Sequence, residues 1–273
     1  TISYNYTPTN SLDLGIRLTA NINGQSLEIY KQYNLVVKKQ TEIAPLPAGV
    51  RQGVNYDPVD PTRATLVFLA PFKEFVYAVG DFSDWKVRDQ YQMKRTPDNK
   101  YYWTELTGLE PGKNYVYQYW IDGKLKVADP YTRQVADPWN DKYIESSVFP
   151  GLPSYSREDY GIASVLKTSQ QPYVWGAGEA SWQRPDVNHL VIYELHIRDF
   201  IASHYYSDLI DTLAYFKRLG VNAIELMPVN EFEGNDSWGY NPSFYFATDK
   251  YYGTADKLKK FIEAAHKQGI AVI

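Results

Sequence analysis

The chain carries two patterns of apolar positions, one before residue 150 and one in its last third. Residues 14–22 alternate apolar and polar side chains, and several later runs do the same. From Leu190 onward the apolar positions recur every three or four residues, as at Leu209, Leu213 and Phe216. Because alternation is typical of strands and the longer period of amphipathic helices, we expect an all-β region followed by a β/α region.

Residues 1–60 are predicted to form a partial β module that ends in a linker. Ile2 and Tyr4 begin an alternating run, and Asn23-Gly24 supplies a hairpin turn between two further runs. The stretch 44–61 is rich in Pro, Gly and Asp, which indicates the linker.

Residues 61–150 are predicted to form an immunoglobulin-like β-sandwich. Short apolar runs with the spacing of such a fold occur at 66–70, 75–79, 101–106 and 115–121. Residues 151–188 have no periodicity, so we expect them to form a connecting segment.

The segment 189–273 predicts strands that alternate with helices. Ser207 is predicted to cap one helix and Gly220 to end it; Thr254 and Gly269 do the same for a second helix. Strands of the buried type are predicted at 191–197, 221–227 and 270–273. This order is typical of a parallel sheet, although periodicity alone leaves a barrel and an open sheet as alternatives.

Both ends of the sequence are abrupt. The chain starts at Thr1 without a Met, and it stops at Ile273 inside a predicted strand. Since a parallel strand needs hydrogen-bonded neighbours, we expect these residues to be part of a longer protein.

Composition excludes several classes of function. Lys and Arg number 28 against 32 Asp and Glu, a net charge of −4 without a basic block, so neither nucleic acid nor an anionic membrane is an expected partner. No apolar run is long enough to predict a membrane span. Cysteine is absent, which excludes disulfides and thiolate metal sites. The 25 Tyr and 7 Trp suit both a β core and sugar-stacking surfaces.

Several motifs after residue 189 resemble the α-amylase superfamily, in particular its isoamylase, pullulanase and branching-enzyme branch. The segments that carry the resemblance are VIYELHIRDF at 191–200, GVNAIELMPV at 220–229, SWGYNP at 237–242 and YYGT at 251–254. They are similar to the first two barrel strands of that family and to the loop that builds one wall of its active site. The resemblance implies the first three strands of a (β/α)8 TIM barrel.

The region before the barrel motifs resembles the carbohydrate-binding-type sandwich of the same branch. The motifs are VGDFSDW at 79–85, YQYWIDG at 117–123 and ADP at 128–130. The expected fold class is therefore multidomain: immunoglobulin-like sandwich modules followed by the beginning of a TIM barrel.

The resemblance implies a retaining glycoside hydrolase that acts on α-glucosidic bonds of starch, glycogen or pullulan-like glucans. Alternatives are a glucan branching enzyme, or a non-catalytic glycan-binding protein with a vestigial barrel. The family's nucleophilic Asp, acid/base Glu and stabilising Asp follow the fourth, fifth and seventh strands. We therefore expect no catalytic residue in this chain, and no activity from it alone. The resemblance also leaves calcium open for the later barrel, and a secreted or cell-surface location is favoured over the cytoplasm.

Substrate-binding residues are expected in the loop that contains the SWGYNP motif. The resemblance implies that Tyr240 stacks on a sugar ring; the alternative is that it packs on Trp238. Trp238 is expected either to contact sugar or to support the loop, and Asn241 either to bind a hydroxyl or to form a turn before Pro242.

Trp85 occupies the position at which related sandwiches stack on a glucan. Gln118 stands where binding members usually have Lys, and Leu125 stands where they have a second Trp. A structural role for Trp85 is therefore favoured over glycan binding.

The remaining titratable residues are expected to have structural roles. Glu194 and Glu225 lie inside strands, and we expect them to pair with Arg198, His196 or a later strand rather than to catalyse. The four His residues have no metal-ligand spacing, and His266 is expected on the surface.

Overall fold

The computed structural model describes residues 5–273. The alternation predicted to begin at Ile2 and Tyr4 lies outside the described residues. The chain divides into two compact units: the first runs to Asp129 and takes in Leu166–Thr168, and the second comprises Pro130–Val165 and Ser169–Ile273. The finer division at residues 60, 150 and 188 stays a prediction.

The first unit begins with a long antiparallel hairpin, formed by β1 (Leu12–Ile22) and β2 (Gln25–Leu35). Asn23 and Gly24 connect the strands with φ angles of 52° and 82°. Positive φ at both central residues defines the type I′ turn that matches the twist of paired strands, so the predicted hairpin turn is confirmed.

Two antiparallel sheets follow in the first unit. Their strands are β3 (Gly53–Tyr56), β4 (Ala64–Leu69), β5 (Val76–Gly80), β6 (Lys94–Arg95), β7 (Tyr101–Leu106), β8 (Asn114–Ile121) and β9 (Leu125–Val127). One sheet has the order β3-β4-β7-β6, and in the other β8 pairs with β5 and β9. The prediction that 44–61 is only a linker was wrong, because β3 pairs with β4 along its whole length.

Side chains from both sheets form one hydrophobic core. Leu66 and Tyr102 come from the first sheet, and Val76 and Tyr117 come from the second; each is fully buried. Phe68 on β4 stacks on Tyr119 of β8, with ring centroids 4.4 Å apart. The alternation seen in the sequence therefore corresponds to an inward-facing row on each sheet.

The second unit contains the other strands and all four α-helices of the described residues, and one of these strands, β11, continues into Leu166–Lys167 of the first unit. The elements are β10 (Val135–Ala136), β11 (Ala163–Lys167), β12 (Ile192–Leu195), α1 (Ile197–Phe200), α2 (Tyr206–Leu209), α3 (Leu213–Arg218), β13 (Ala223–Leu226), β14 (Asn230–Phe232), β15 (Pro242–Thr248), α4 (Ala255–Lys267) and β16 (Ala271–Val272).

Three of these strands form a parallel sheet in the order β12-β13-β16. Glu194 on β12 lies opposite Glu225 on β13, and Ala223 on β13 lies opposite Ala271 on β16. The predicted parallel pairing is confirmed for these strands. One face of the sheet packs on the helices, where Tyr193 meets the ring of Phe216 at 5.0 Å.

The helix caps differ from the predictions in one case. The Thr254 side chain accepts a hydrogen bond from the Lys257 backbone N–H at the start of α4, so that cap is confirmed. The Ser207 cap was wrong: the chain is already helical at Tyr206, and the Ser207 hydroxyl donates to Asp208 instead. No helix within residues 5–273 is long and apolar enough to cross a bilayer.

The pair β14 and β15 was not predicted. These antiparallel strands have an irregular register, with Asn230 opposite Thr248 and Phe232 opposite Pro242. The chain between them contains the SWGYNP motif, so this pair holds both ends of the predicted substrate loop.

Candidate functional site

The three residues predicted to bind sugar lie together on the loop from Ser237 to Asn241. Trp238 is 62% exposed and Tyr240 is 64% exposed, and Asn241 is also exposed. Neither ring contacts another aromatic ring in the part of the chain that the structure describes, so the alternative in which Tyr240 packs on Trp238 is not observed. The loop therefore presents two aromatic side chains and one amide to solvent.

Hydrogen bonds inside the loop hold it in a tight turn. The Ser237 hydroxyl bonds to Asn241 Oδ1 and accepts from the Gly239 backbone N–H at 3.0 Å. Gly239 has a φ of 87°, and a Cβ at this position would lie 2.1 Å from the carbonyl oxygen of Pro228. Only glycine fits this approach of the loop to the chain that leaves β13.

His196, the residue after β12, lies beneath the loop. Its Nε2 is 3.0 Å from the Ser237 carbonyl oxygen, and its Nδ1 is 2.8 Å from Asp199 Oδ2. The Tyr252 hydroxyl is 3.3 Å from the same Nε2. His196 therefore bonds the loop to the carboxyl end of β12. Gly239 packs the same loop against the chain that leaves β13.

A second link to the loop runs through Arg198. Its guanidinium forms an ion pair with Asp236 and donates from Nε to Asp199 Oδ1 at 3.0 Å. Hydrogen bonds from Arg198 and His196 lower the pKa of Asp199. A carboxyl held ionised in this way is unsuited to act as a general acid.

An open depression of about 490 Å³ adjoins this ion pair. The residues that line it are Asn140, Tyr143, Arg198, Asn235, Asp236 and Tyr251. Amides, phenols and a charged pair line it, so it offers hydrogen bonds rather than an apolar cavity.

A buried charge cluster lies under β14 and β15. The Lys250 ammonium bonds to Glu231 and lies 3.3 Å from Asp141 Oδ1, and all three side chains are buried. Burial and the Glu231 charge raise the pKa of Asp249 well above its usual value. Asp249 also accepts from the backbone N–H of Tyr251 at 2.9 Å, so the cluster ties the turn after β15 to the core.

Trp85 is not a surface platform. The side chain is only 7% exposed, and its indole N–H donates to Asp81 Oδ1 at 2.7 Å. Because a stacking residue must present a ring face to the sugar, this burial agrees with the favoured structural role, and glycan binding by Trp85 stays an untested prediction.

Two further predictions need correction. His196 and Arg198 bond to Asp199, and no ion pair joins either of them to Glu194 or Glu225 within residues 5–273; both glutamates are exposed. A partner for them on a later strand stays a prediction.

His266 is not a surface residue. Its ring stacks on Trp182 with centroids 3.7 Å apart, and Nδ1 lies 2.9 Å from Glu179 Oε2. The aperiodic segment before β12 supplies both partners, and nothing in its sequence indicated them.

Metal binding has no candidate in the described part of the chain, where no three carboxylate, His or Cys side chains converge. No calcium site is therefore assigned within residues 5–273. Calcium in a later barrel stays a prediction from resemblance.

Sequence comparison supports the resemblance that the motifs indicated. Residues 206–273 match the family model for the α-amylase catalytic domain. The chain is 31% identical over 183 residues to a malto-oligosyltrehalose trehalohydrolase of Arthrobacter ramosus, covering 67% of this chain and 28% of that protein. It is 32% identical over 215 residues to a 1,4-α-glucan branching enzyme of Nitrosospira multiformis, covering 75% and 26%.

Solved structures agree at the level of the fold. A pullulanase from Anoxybacillus sp. LM18-11 superimposes with a TM-score of 0.60 at 23% identity, over 83% of this chain and 34% of that chain. The chain thus spans roughly a third or less of each of these three proteins. On the sequence motifs, the fold and these matches together, the chain belongs to the α-amylase superfamily.

Proposed function

We propose that the whole protein is a retaining glycoside hydrolase of α-glucans, and that this chain supplies one wall of its substrate cleft. The proposal includes the layout: the two sheets of the first unit form an immunoglobulin-like sandwich, and β12, β13 and β16 begin a (β/α)8 barrel. The shared core of the two sheets and the parallel order β12-β13-β16 support this layout.

The observation that carries the proposal is the position of the loop that bears Trp238 and Tyr240. His196 directly follows β12 and contacts the loop at Ser237, and Pro228 follows β13 and contacts it at Gly239. Active sites of β/α barrels lie at the carboxyl ends of the parallel strands. Two exposed aromatic rings at that edge are suited to the apolar faces of sugar rings.

The curated relatives support the choice of ligand. Their names describe a trehalohydrolase of malto-oligosyltrehalose and an enzyme that branches 1,4-α-glucan. In the loop, the Asn241 carbonyl accepts from Ser237, and its amide nitrogen has no partner among the described residues, so it is available to donate to a sugar hydroxyl. Tyr240 stacking together with an Asn241 hydrogen bond is the binding mode that we propose.

The chemistry of retention requires two carboxyl groups about 5–5.5 Å apart. Asp199 is held by Arg198 and His196, and the buried Glu231 is paired with Lys250, so neither is free to react. We therefore propose that the 273-residue chain alone releases no sugar. Reducing ends released from soluble starch by the purified chain would contradict this proposal.

The binding proposal is tested by titrating the chain with maltotetraose, using calorimetry. Tyr240→Ala is expected to raise Kd about fivefold, because an aromatic stacking contact contributes about 1 kcal/mol. Tyr245→Ala is the matched control, since Tyr245 is 69% exposed on β15 but lies outside the loop. Equal Kd values for the parent, Tyr240→Ala and Tyr245→Ala would overturn the proposal that this loop forms a wall of the substrate cleft.

A branching transferase is the second candidate, favoured by the branching enzyme of Nitrosospira multiformis, which matches more of this chain than the trehalohydrolase does. In the proposed mechanism both activities pass through a covalent glucosyl-enzyme. A hydrolase transfers the glucosyl group to water, whereas a branching enzyme transfers it to another glucan. Incubating the complete gene product with amylose separates them: a hydrolase raises the number of reducing ends, whereas a branching enzyme raises the number of α-1,6 branches at constant reducing ends.

A further inference from the structure

We infer that His196, held by Asp199, is a positioning residue that fixes the loop bearing Trp238 and Tyr240. The inference rests on the proposed function, because it explains how that loop is preorganised for a glucan. The group of His196, Arg198 and Asp199 is called the loop clamp below. No part of the loop clamp contacts the sugar in the proposed binding mode.

The hydrogen-bonding capacity of the partners fixes the orientation of the His196 ring. A backbone carbonyl can only accept, so the 3.0 Å contact with Ser237 requires a hydrogen on Nε2. On the other side of the ring, Nδ1 is 2.8 Å from a carboxylate oxygen of Asp199, which also accepts. Since the side chain is only 8% exposed, water does not compete effectively for these bonds.

Asp199 coordinates both arms of the loop clamp. Oδ2 faces His196 and Oδ1 accepts from Arg198 Nε, while the Arg198 guanidinium also pairs with Asp236. The start of the loop is therefore held at two consecutive residues, by a side-chain ion pair at Asp236, just before the loop, and by a backbone hydrogen bond at Ser237.

The two aromatic residues depend on this anchoring. Trp238 directly follows the anchored Ser237, and Tyr240 lies two residues further on. Both rings are mostly exposed, so packing does little to fix them. Their positions are then set by the backbone of the loop. Ordering a loop before ligand arrives removes part of the entropy cost of binding. Loss of the His196 bond is therefore expected to loosen the loop and weaken binding.

The absence of cysteine in the sequence allows a direct test. Trp238→Cys introduces a single site for a nitroxide spin label, and its electron paramagnetic resonance spectrum reports the motion of the loop. In that background His196→Ala is expected to convert the immobilised spectral component into a mobile one. His196→Gln keeps a donor near Nε2, so it is expected to restore the immobilised component. His189→Ala is the control, since the His189 side chain is 80% exposed and pairs only with Asp186 in the described structure.

A second variant separates positioning from misfolding. Asp199 is 57% exposed, so Asp199→Ala is expected to fold and still to mobilise the label. Thermal melting of each variant, followed by circular dichroism, shows whether the second unit is still folded. Spectra that are the same for the parent, His196→Ala and Asp199→Ala would overturn the inference.

Binding data distinguish this inference from the proposed function. In the chain that keeps Trp238, His196→Ala is expected to raise Kd for maltotetraose about fivefold, and His196→Gln to recover most of the affinity. If the label becomes mobile but the parent chain binds no maltotetraose, the loop clamp stands and the glucan proposal fails. If the parent binds and His196→Ala leaves both label and Kd unchanged, the loop clamp fails alone.

Discussion

At the scale of single residues, Gly239 has the least freedom to change. Its positive φ and its approach to the Pro228 carbonyl leave no room for a side chain. A residue with a side chain costs about 1–2 kcal/mol in the left-handed region. Because the added Cβ also meets the Pro228 carbonyl, Gly239→Ala should lower the free energy of unfolding by more than this amount. Urea denaturation measures this, with Gly234→Ala as the control, because Gly234 also has a positive φ of 74° but nothing near its Cβ position. Equal losses for the two variants would contradict the steric explanation.

The raised pKa of Asp249 predicts that the free energy of unfolding depends on pH. Burial and the charge of Glu231 raise its pKa well above the ordinary 3.8, so the folded chain keeps a proton that the unfolded chain releases. The stabilisation from that proton is complete below pH 3.8 and is lost as pH rises through the folded pKa. We expect the advantage of the parent over Asp249→Asn to shrink with rising pH, by at most about 1.4 kcal/mol per unit.

Urea denaturation at several pH values gives this difference. The Asp249 carboxylate accepts from the Tyr251 N–H at 2.9 Å and from the Phe232 N–H at 3.4 Å. Asn keeps an oxygen acceptor for the shorter of these bonds, so the comparison separates the titration from the loss of that bond. A difference that stays constant between pH 4 and pH 8 would contradict the raised pKa.

Sequence alone located the loop residues but not their support. The resemblance of the SWGYNP motif to the α-amylase superfamily singled out Trp238 and Tyr240, and both rings are exposed. The bond from His196 to Ser237 spans 41 residues, and no local pattern encodes such a separation. Trp85 shows the reverse case: its motif resembles a binding site, but the fold buries it.

At the scale of elements, α4 depends on its cap. The Thr254 side chain accepts from Lys257, one of the N–H groups that a helix leaves unpaired at its start. Thr254→Ala is expected to cost about 1 kcal/mol of stability. Ser207→Ala is the matched control, because Ser207 lies inside a helical turn and caps nothing. Chemical denaturation of both variants tests this, and equal costs would contradict the cap assignment.

Strands with clear apolar patterns were predictable, and strands defined by pairing were not. The runs that became β12, β13 and β16 are mostly apolar and alternate with helical patterns, so both their existence and their parallel pairing were predicted. The strand β3 lies in a stretch whose Pro and Gly content favoured a linker, yet four residues pair with β4. Pairing of this kind is a tertiary effect that overrides local propensity.

At the scale of the whole molecule, the Lys250 cluster joins distant parts of the second unit. Asp141, Glu231 and Lys250 come from three separate segments and are buried together. Lys250→Met would remove the ammonium and leave its carboxylate partners buried without a cation. We expect a loss of about 3–5 kcal/mol, the typical cost of breaking a buried pair. Lys260→Met is the control, since Lys260 is exposed on α4.

Thermal unfolding followed by circular dichroism measures both variants. A melting temperature for Lys250→Met within error of Lys260→Met would contradict a stabilising role for the cluster. Sequence could not indicate this cluster, because Asp141 lies 90 residues before Glu231 (231 − 141) and each member alone is typical of a solvated surface.

The in-register pair Glu194 and Glu225 has a consequence for colloidal behaviour. The two carboxylates lie side by side on the sheet face opposite the helices, next to the half-exposed Ile192. In the proposed barrel this face turns toward the later strands, whereas in the 273-residue chain on its own its like charges repel a second copy and so act against face-to-face association. Glu194→Gln combined with Glu225→Gln should therefore increase the particle size measured by dynamic light scattering at low ionic strength, whereas Glu233→Gln, at an exposed site outside the sheet, should not.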